Sequence, residues 1–242
     1  MPAVMEDSNQ PTPLTEDAPE LARDVEKPLH ELLSHSIVDI YVGDATFPLH
    51  EKLLCHHSPV LRNHFYRKGS KADSYGLPDD APEIFSTLAG WLYSGTVAYP
   101  VDENAIGPLL DLYLLGEKLQ MERLNDDIVN TIRTYYHSSG SYPSLRRVQY
   151  IYENTNNDNP MREMMVGSIA RFLTLGESIP KHWDSALRRN GQLAVDIIRA
   201  IQEWHLEGRS VPDVRDKESR FGFSGIEPSE VASVETDARS IA

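Results

Sequence analysis

The sequence predicts an α+β fold (α/β in the broad sense): a small strand hairpin near residue 40, then helices over most of the remaining chain. Three observations predict it. In SIVDIYVGDATFPL, Val38, Ile40 and Val42 alternate with Asp39 and Tyr41, the period of two of a half-buried strand. In LPDDAPEIFSTLAGWLYSG, Phe85, Leu88 and Leu92 recur at helical steps between a start signal and a glycine stop. Further on, SLRRVQYIYEN, MREMMVGSIARFLTL and QLAVDIIRAIQEWH repeat the helical pattern, joined by loops rich in Asn, Pro and Gly.

The elements come in order. Gly43-Asp44 suits a two-residue hairpin turn, and Phe47 to Leu49 form the return strand. Pro48 has no backbone donor, so that strand is short or at an edge. In HEKLLCHH, Leu53, Leu54 and Cys55 are the buried part of a short helix. Ser58 and Pro59 end it and open the next, Ser as N-cap and Pro as first helical residue. Leu61 and Phe65, four apart, give that helix its apolar side. RKGSKADSYG reads as a polar loop. Asp80 and Glu83 stand at capping-box spacing, Pro82 lies in the first turn, and Gly95 suits a left-handed C-terminal residue. Residues 104 to 120 carry leucines on several faces, which predicts a central helix. Met121, Leu124, Ile128 and Ile132 stripe the one after it. Phe47, Leu53, Leu54, Leu88, Leu92, Leu112 and Leu115 are the expected core. Met161, Met164, Met165, Ile169 and Phe172 share an amphipathic face and read as core filling. No repeat of fixed period occurs.

Composition bounds the function. The chain has 242 residues and a net charge of −14, which opposes phosphate-backbone binding and anionic membrane surfaces. The single cysteine, Cys55, excludes an intramolecular disulfide and a Cys-rich zinc finger. The N-terminus lacks a basic start with an apolar run, and no apolar stretch approaches the roughly 18 to 20 residues of a membrane span. The expectation is an intracellular, soluble protein. Residues 1–27 are acidic and poor in aromatics, the pattern of a disordered arm, and residues 209–242 form a similar tail with a short apolar island, FGF, at 221–223. Between them lie an ordered region, 28–137, and a helical extension, 142–208.

LHEKLLCHHSP gathers His50, Cys55, His56 and His57. Consecutive helical residues point about 100° apart, so Cys55, His56 and His57 do not converge on one ion. His50 and His57 can share a face, but two ligands do not make a zinc site. A nucleophilic Cys55 needs a His from elsewhere in the fold, and its leucine neighbours suit a buried small hydrophobe instead. No catalytic residue, cofactor or metal ligand is expected; a cysteine-dependent enzyme is the disfavoured alternative.

From Ser36 to Thr134 the sequence resembles the BTB/POZ domain. The residues that carry the resemblance are Asp39-Ile40-Tyr41-Val42, Phe47, His50, Ser58 and Pro59, and Trp91, Tyr93 and Gly95 within WLYSG. YIYENTNNDNPMREMMVGSIARFL is similar to the helical extension of fungal BTB proteins. The resemblance implies a small sheet flanked by helical hairpins, followed by an all-helical extension. It implies a non-enzymatic protein–protein interaction module, acting as scaffold, in self-association as a homodimer, or as substrate adaptor of a cullin-type ubiquitin ligase. It places His50 at the start of the first core helix, hydrogen-bonded to Asp39.

Two departures bear on partners. The family often has a basic residue after that His, whereas this chain has Glu51, which beside Asp39 weakens a co-repressor groove. Cullin-binding members carry a hydrophobic-x-Glu segment after the second helix. Here Arg67, Lys68, Ser70, Lys71 and Asp73 occupy that region. Leu29, Leu32 and Leu33 stand at helical spacing ahead of the first strand, but a helix this short is marginal unless it docks.

Overall fold

The computed structural model describes residues 28–33, 35–67 and 72–206, with side chains described to Trp204. The acidic arm, the tail and the FGF island lie outside the described residues. The alternation at Val38, Ile40 and Val42 becomes β1 (Ile37–Val42), with these three side chains buried and Ile37 and Tyr41 exposed. Gly43, at φ +55, turns the chain into β2 (Ala45–His50), which pairs antiparallel with β1 and places Pro48 opposite Asp39. β2 is an edge strand, as its proline requires.

The other edge strand was hidden in the predicted polar loop. β3 (Ser74–Leu77) pairs parallel with β1, from Asp39↔Ser74 to Val42↔Leu77. Only Leu77 of its four residues is buried. A strand this short, containing Gly76, shows no alternation of its own and exists because β1 offers a ladder.

Helices cover the sheet. After α1 (Leu29–Leu32) and the strand hairpin come α2 (Glu51–His57) and α3 (Pro59–Phe65). Ser58 does two jobs between them. Its Oγ accepts from Leu61 N at 3.1 Å, capping α3, and donates to the Leu119 carbonyl at 2.6 Å. α4 (Pro82–Ser94) starts at its proline, but the capping box does not form. Ala81 holds the N-cap position, one residue later than the spacing suggested, and Asp80 instead pairs with Lys118 Nζ at 2.6 Å. Gly95 ends the helix in the left-handed conformation at φ +66.

α5 (Ile106–Lys118), preceded by a 3-10 turn at Glu103–Ala105, is the central helix: Ile106, Leu109, Leu110, Leu112, Tyr113 and Leu115 are buried. It packs against α6 (Glu122–Ser139) so closely that a Cβ on Gly116 would sit 2.0 Å from Asn125 Oδ1. The extension comprises α7 (Leu145–Asn154), α8 (Pro160–Leu175), α9 (Lys181–Arg189) and α10 (Gly191–Leu206). α9 has no forecast in the sequence, since only Trp183 and Ala186 on it are buried.

The core is continuous from the sheet into the extension. Leu53, Leu54, Leu88, Leu92, Leu112 and Leu115 are buried as expected. Phe47 is a correction: it is only half-buried, because it lies on an edge strand and meets Phe85 with one ring at 4.9 Å between centroids. The Met stripe is core, with Met161, Met164 and Met165 buried. Asn159 joins the two halves. Its side chain caps α8, accepts from Tyr113 Oη at 3.0 Å and donates to Glu117 Oε2 at 3.0 Å.

Candidate functional site

The sequence window around Cys55 is partly core and partly surface. Cys55 faces inward on α2 and is buried. Burial, and then the Glu51 carboxylate, push its thiol up to about 11, the reverse of what activates a nucleophile. Among the described residues, no group of three or more His, Cys, Asp or Glu side chains is placed to hold a metal ion. No helix among them is long and apolar enough to cross a membrane.

His50 does open α2, but its partner is not Asp39. His50 Nδ1 meets Tyr93 Oη at 2.9 Å, and the two rings stack edge-on at 5.8 Å. The reason lies in the register. His50 is paired with Ile37, two residues before Asp39, while the end of α4 brings Tyr93 against it. Glu51 accepts a hydrogen bond from Ser36 Oγ, which anchors the residue expected to repel Asp39.

WLYSG divides into structural and surface parts. Trp91 is buried, donates from Nε1 to Asp127 Oδ2 at 2.9 Å, and ties α4 to α6. Leu92 is core. Tyr93 points outward and is 37% exposed. Ser94 and Gly95 reverse the chain, with Gly95 N donating to the Trp91 carbonyl at 2.7 Å.

Those outward residues rim a groove of about 260 Å³ between α1, α2 and the ends of α4 and α6. Its apolar wall is Leu29, Leu32, Leu53, Trp91 and Leu92. Its polar wall carries His56, His57 and Arg123. His57 stacks edge-on against Trp91 at 5.0 Å and against His56 at 4.8 Å. The volume is below the roughly 300 to 1,000 Å³ of drug-sized ligand pockets and suits a few side chains of a polypeptide.

The chain from α1 to the start of β1 also exposes large apolar side chains. Leu29 is 41% exposed, Leu33 40% and Ile37 48%. Of the three leucines at helical spacing only Leu32 is buried, so Leu29 of α1 and Leu33, just after it, face solvent. Ile37 lies across the ladder from His50, which touches Tyr93, which lines the groove beside Leu29. Spacing arguments missed this surface, because its parts come from four separate stretches of chain.

Residues 29–135 match the sequence pattern of the BTB/POZ domain. Among solved structures, the chain is similar to the BTB domain of zebrafish PATZ1, at 17% identity, covering 40% of this chain and 74% of that one, with a TM-score of 0.34. It is also similar to the BTB (Tramtrack and Bric a brac) domain of human Gigaxonin, at 15% identity, covering 41% of this chain and 80% of that one, with a TM-score of 0.33. No curated protein matches the chain by sequence.

Proposed function

We propose that this chain, whose residues 29–135 are a BTB/POZ domain, is a non-enzymatic docking module that self-associates through the groove face. BTB/POZ domains are protein–protein interaction modules, and that much belongs to the family. The observation that carries the finer reading is the groove lined in part by exposed Leu29 and Tyr93, with Leu33 and Ile37 also exposed on the chain that leads from α1 into β1. α1 has four residues, too few to persist in water on their own helical propensity. It lies against α2 with Leu29, and Leu33 just after it, still exposed, and a second copy covering them would remove apolar area from water at about 25 cal/mol per Å².

The extension supports the module by lengthening its core rather than by adding a reactive site. A cullin-adaptor role fits less well. After α3, Arg67 and Asp73 are exposed and polar, and both would lose water without an apolar gain. Lys68, Ser70 and Lys71 of the same argument lie outside the described residues.

Sedimentation of the full chain at micromolar concentrations tests the reading. A reversible dimer is expected. Leu29→Asp and Tyr93→Asp are expected to shift it to monomer, while Val195→Asp, on the exposed side of α10, leaves it unchanged. A strict monomer, or equal weakening by all three substitutions, would contradict the proposal.

A further inference from the structure

We propose that the cleft between α5 and α7 holds an extended segment of a partner polypeptide that carries a cation and a carboxylate three residues apart. The cleft encloses about 420 Å³, within the roughly 300 to 1,000 Å³ of ligand sites, and shares no lining residue with the groove. Three observations converge on it.

The first is which side chains are already engaged. Arg147 is held: its Nη2 donates to the Glu103 carbonyl at 3.1 Å, and Gly107, lacking a Cβ, lets the guanidinium lie against α5. Tyr150 Oη donates to Asp111 Oδ1 at 2.6 Å. These contacts fix part of the lining. Arg146, Gln149 and Glu153 line the same cleft, and among the described residues none of the three makes a hydrogen bond or ion pair.

The second is spacing. Arg146, Gln149 and Glu153 follow one another at steps of three and four, which is one face of a helix. Arg146 and Glu153 stand seven apart, beyond the three or four at which helical side chains pair, so they do not neutralise each other. Along α7 that separation is about 10 Å. Three residues of extended chain cover about the same 10 Å. Gln149, between the two charges, offers an amide donor and a carbonyl acceptor, the complement of a peptide unit. A segment with one charge at each end and backbone between them satisfies all three side chains at once.

The third is the direction of the charges. A helix favours anions at its N-terminus and cations at its C-terminus. α7 does the reverse, with Arg146 in its first turn and Glu153 in its last. Both side chains are exposed, so packing does not require them. The arrangement works against the stability of α7, and a local rule broken without structural compensation marks a functional position.

This contact does not rest on self-association through the groove face and is tested apart from it. The test is an NMR titration of the full chain at low salt with a blocked tetrapeptide, lysine–glycine–glycine–aspartate. Its neutral counterpart, glutamine–glycine–glycine–asparagine, is the control. Saturable shifts in α7 and around Gly107 are expected with the charged peptide alone. Arg146→Glu and Glu153→Arg, made singly, are each expected to weaken binding about fivefold. Made together, they are expected to restore it, with the peptide lying end for end. The double variant does not endanger the fold, because the exchange brings the charges into line with the helix dipole. Its thermal midpoint is expected at or above that of wild type. The absence of a saturable shift, or equal shifts from the neutral peptide, overturns the proposal. So does a double variant that binds as weakly as the single ones, which would remove recognition by the charge pair. Shifts confined to His57, Tyr93 and their neighbours overturn it as well, by placing the peptide in the groove.

Discussion

Leu54→Ala is expected to destabilise the protein by about 2 to 5 kcal/mol, the range for truncating a fully packed aliphatic side chain. Leu54 has no exposed surface and sits between buried Leu53 and Cys55 on α2. Its carbonyl also accepts from Ser58 N at 2.9 Å, at the joint between α2 and α3. The loss combines the transfer free energy of the removed carbons with the cavity they leave. Urea unfolding reads it as a fall in midpoint at constant slope. A change below about 0.5 kcal/mol, the ordinary size of a surface substitution, would show that α2 is not part of the core.

Asn159→Ala is expected to cost about 2 to 4 kcal/mol, combining a lost N-cap with a buried donor left unpaired. Asn159 is buried, caps α8 through Met161 N and Arg162 N, and takes the hydroxyl of Tyr113 from α5. That phenol is already held in its neutral form, pushed up to about 12 by burial and then by the Glu117 carboxylate. Without Asn159 it keeps its proton and loses its acceptor. The substitution therefore strikes the seam between residues 29–135, which match the BTB/POZ pattern, and the helices that follow them. Thermal unfolding is expected to remain one transition at lower temperature, because the apolar core is continuous across the seam. A stability equal to wild type would mean that the two parts do not depend on this joint.

What the sequence revealed and what it hid divide along one line. Local signals were legible. Ser58-Pro59 announced a cap and a helix start, Gly43-Asp44 marked the hairpin turn, Gly95 marked a left-handed helix end, and alternation marked β1. Non-local contacts were not. β3 exists through parallel pairing across more than 30 residues, which leaves no pattern in SYGL. Asp80 was free to leave its predicted cap because Lys118, far along the chain, offers a charge. His50 was correctly placed at the start of α2, yet its partner is Tyr93 because the fold, not the spacing, decides what reaches the end of β2. The groove is the extreme case. Each of its walls reads as an ordinary helix end, and only packing brings Leu29, His57, Tyr93 and Arg123 around one space. Its apolar and cationic sides have no counterpart in any single stretch of sequence.

Amide hydrogen exchange on the full chain, dilute against concentrated, tests the docking claim most directly. Contact between copies slows exchange where the surfaces meet. Added protection at high concentration is expected in α1, around Ile37 of β1, and in the last turn of α4 near Tyr93. None is expected in α9 or on the outer side of α10. Protection that appears on α9 and α10 instead, or on no part of the chain while it self-associates, would contradict the assignment of the groove face as the docking surface.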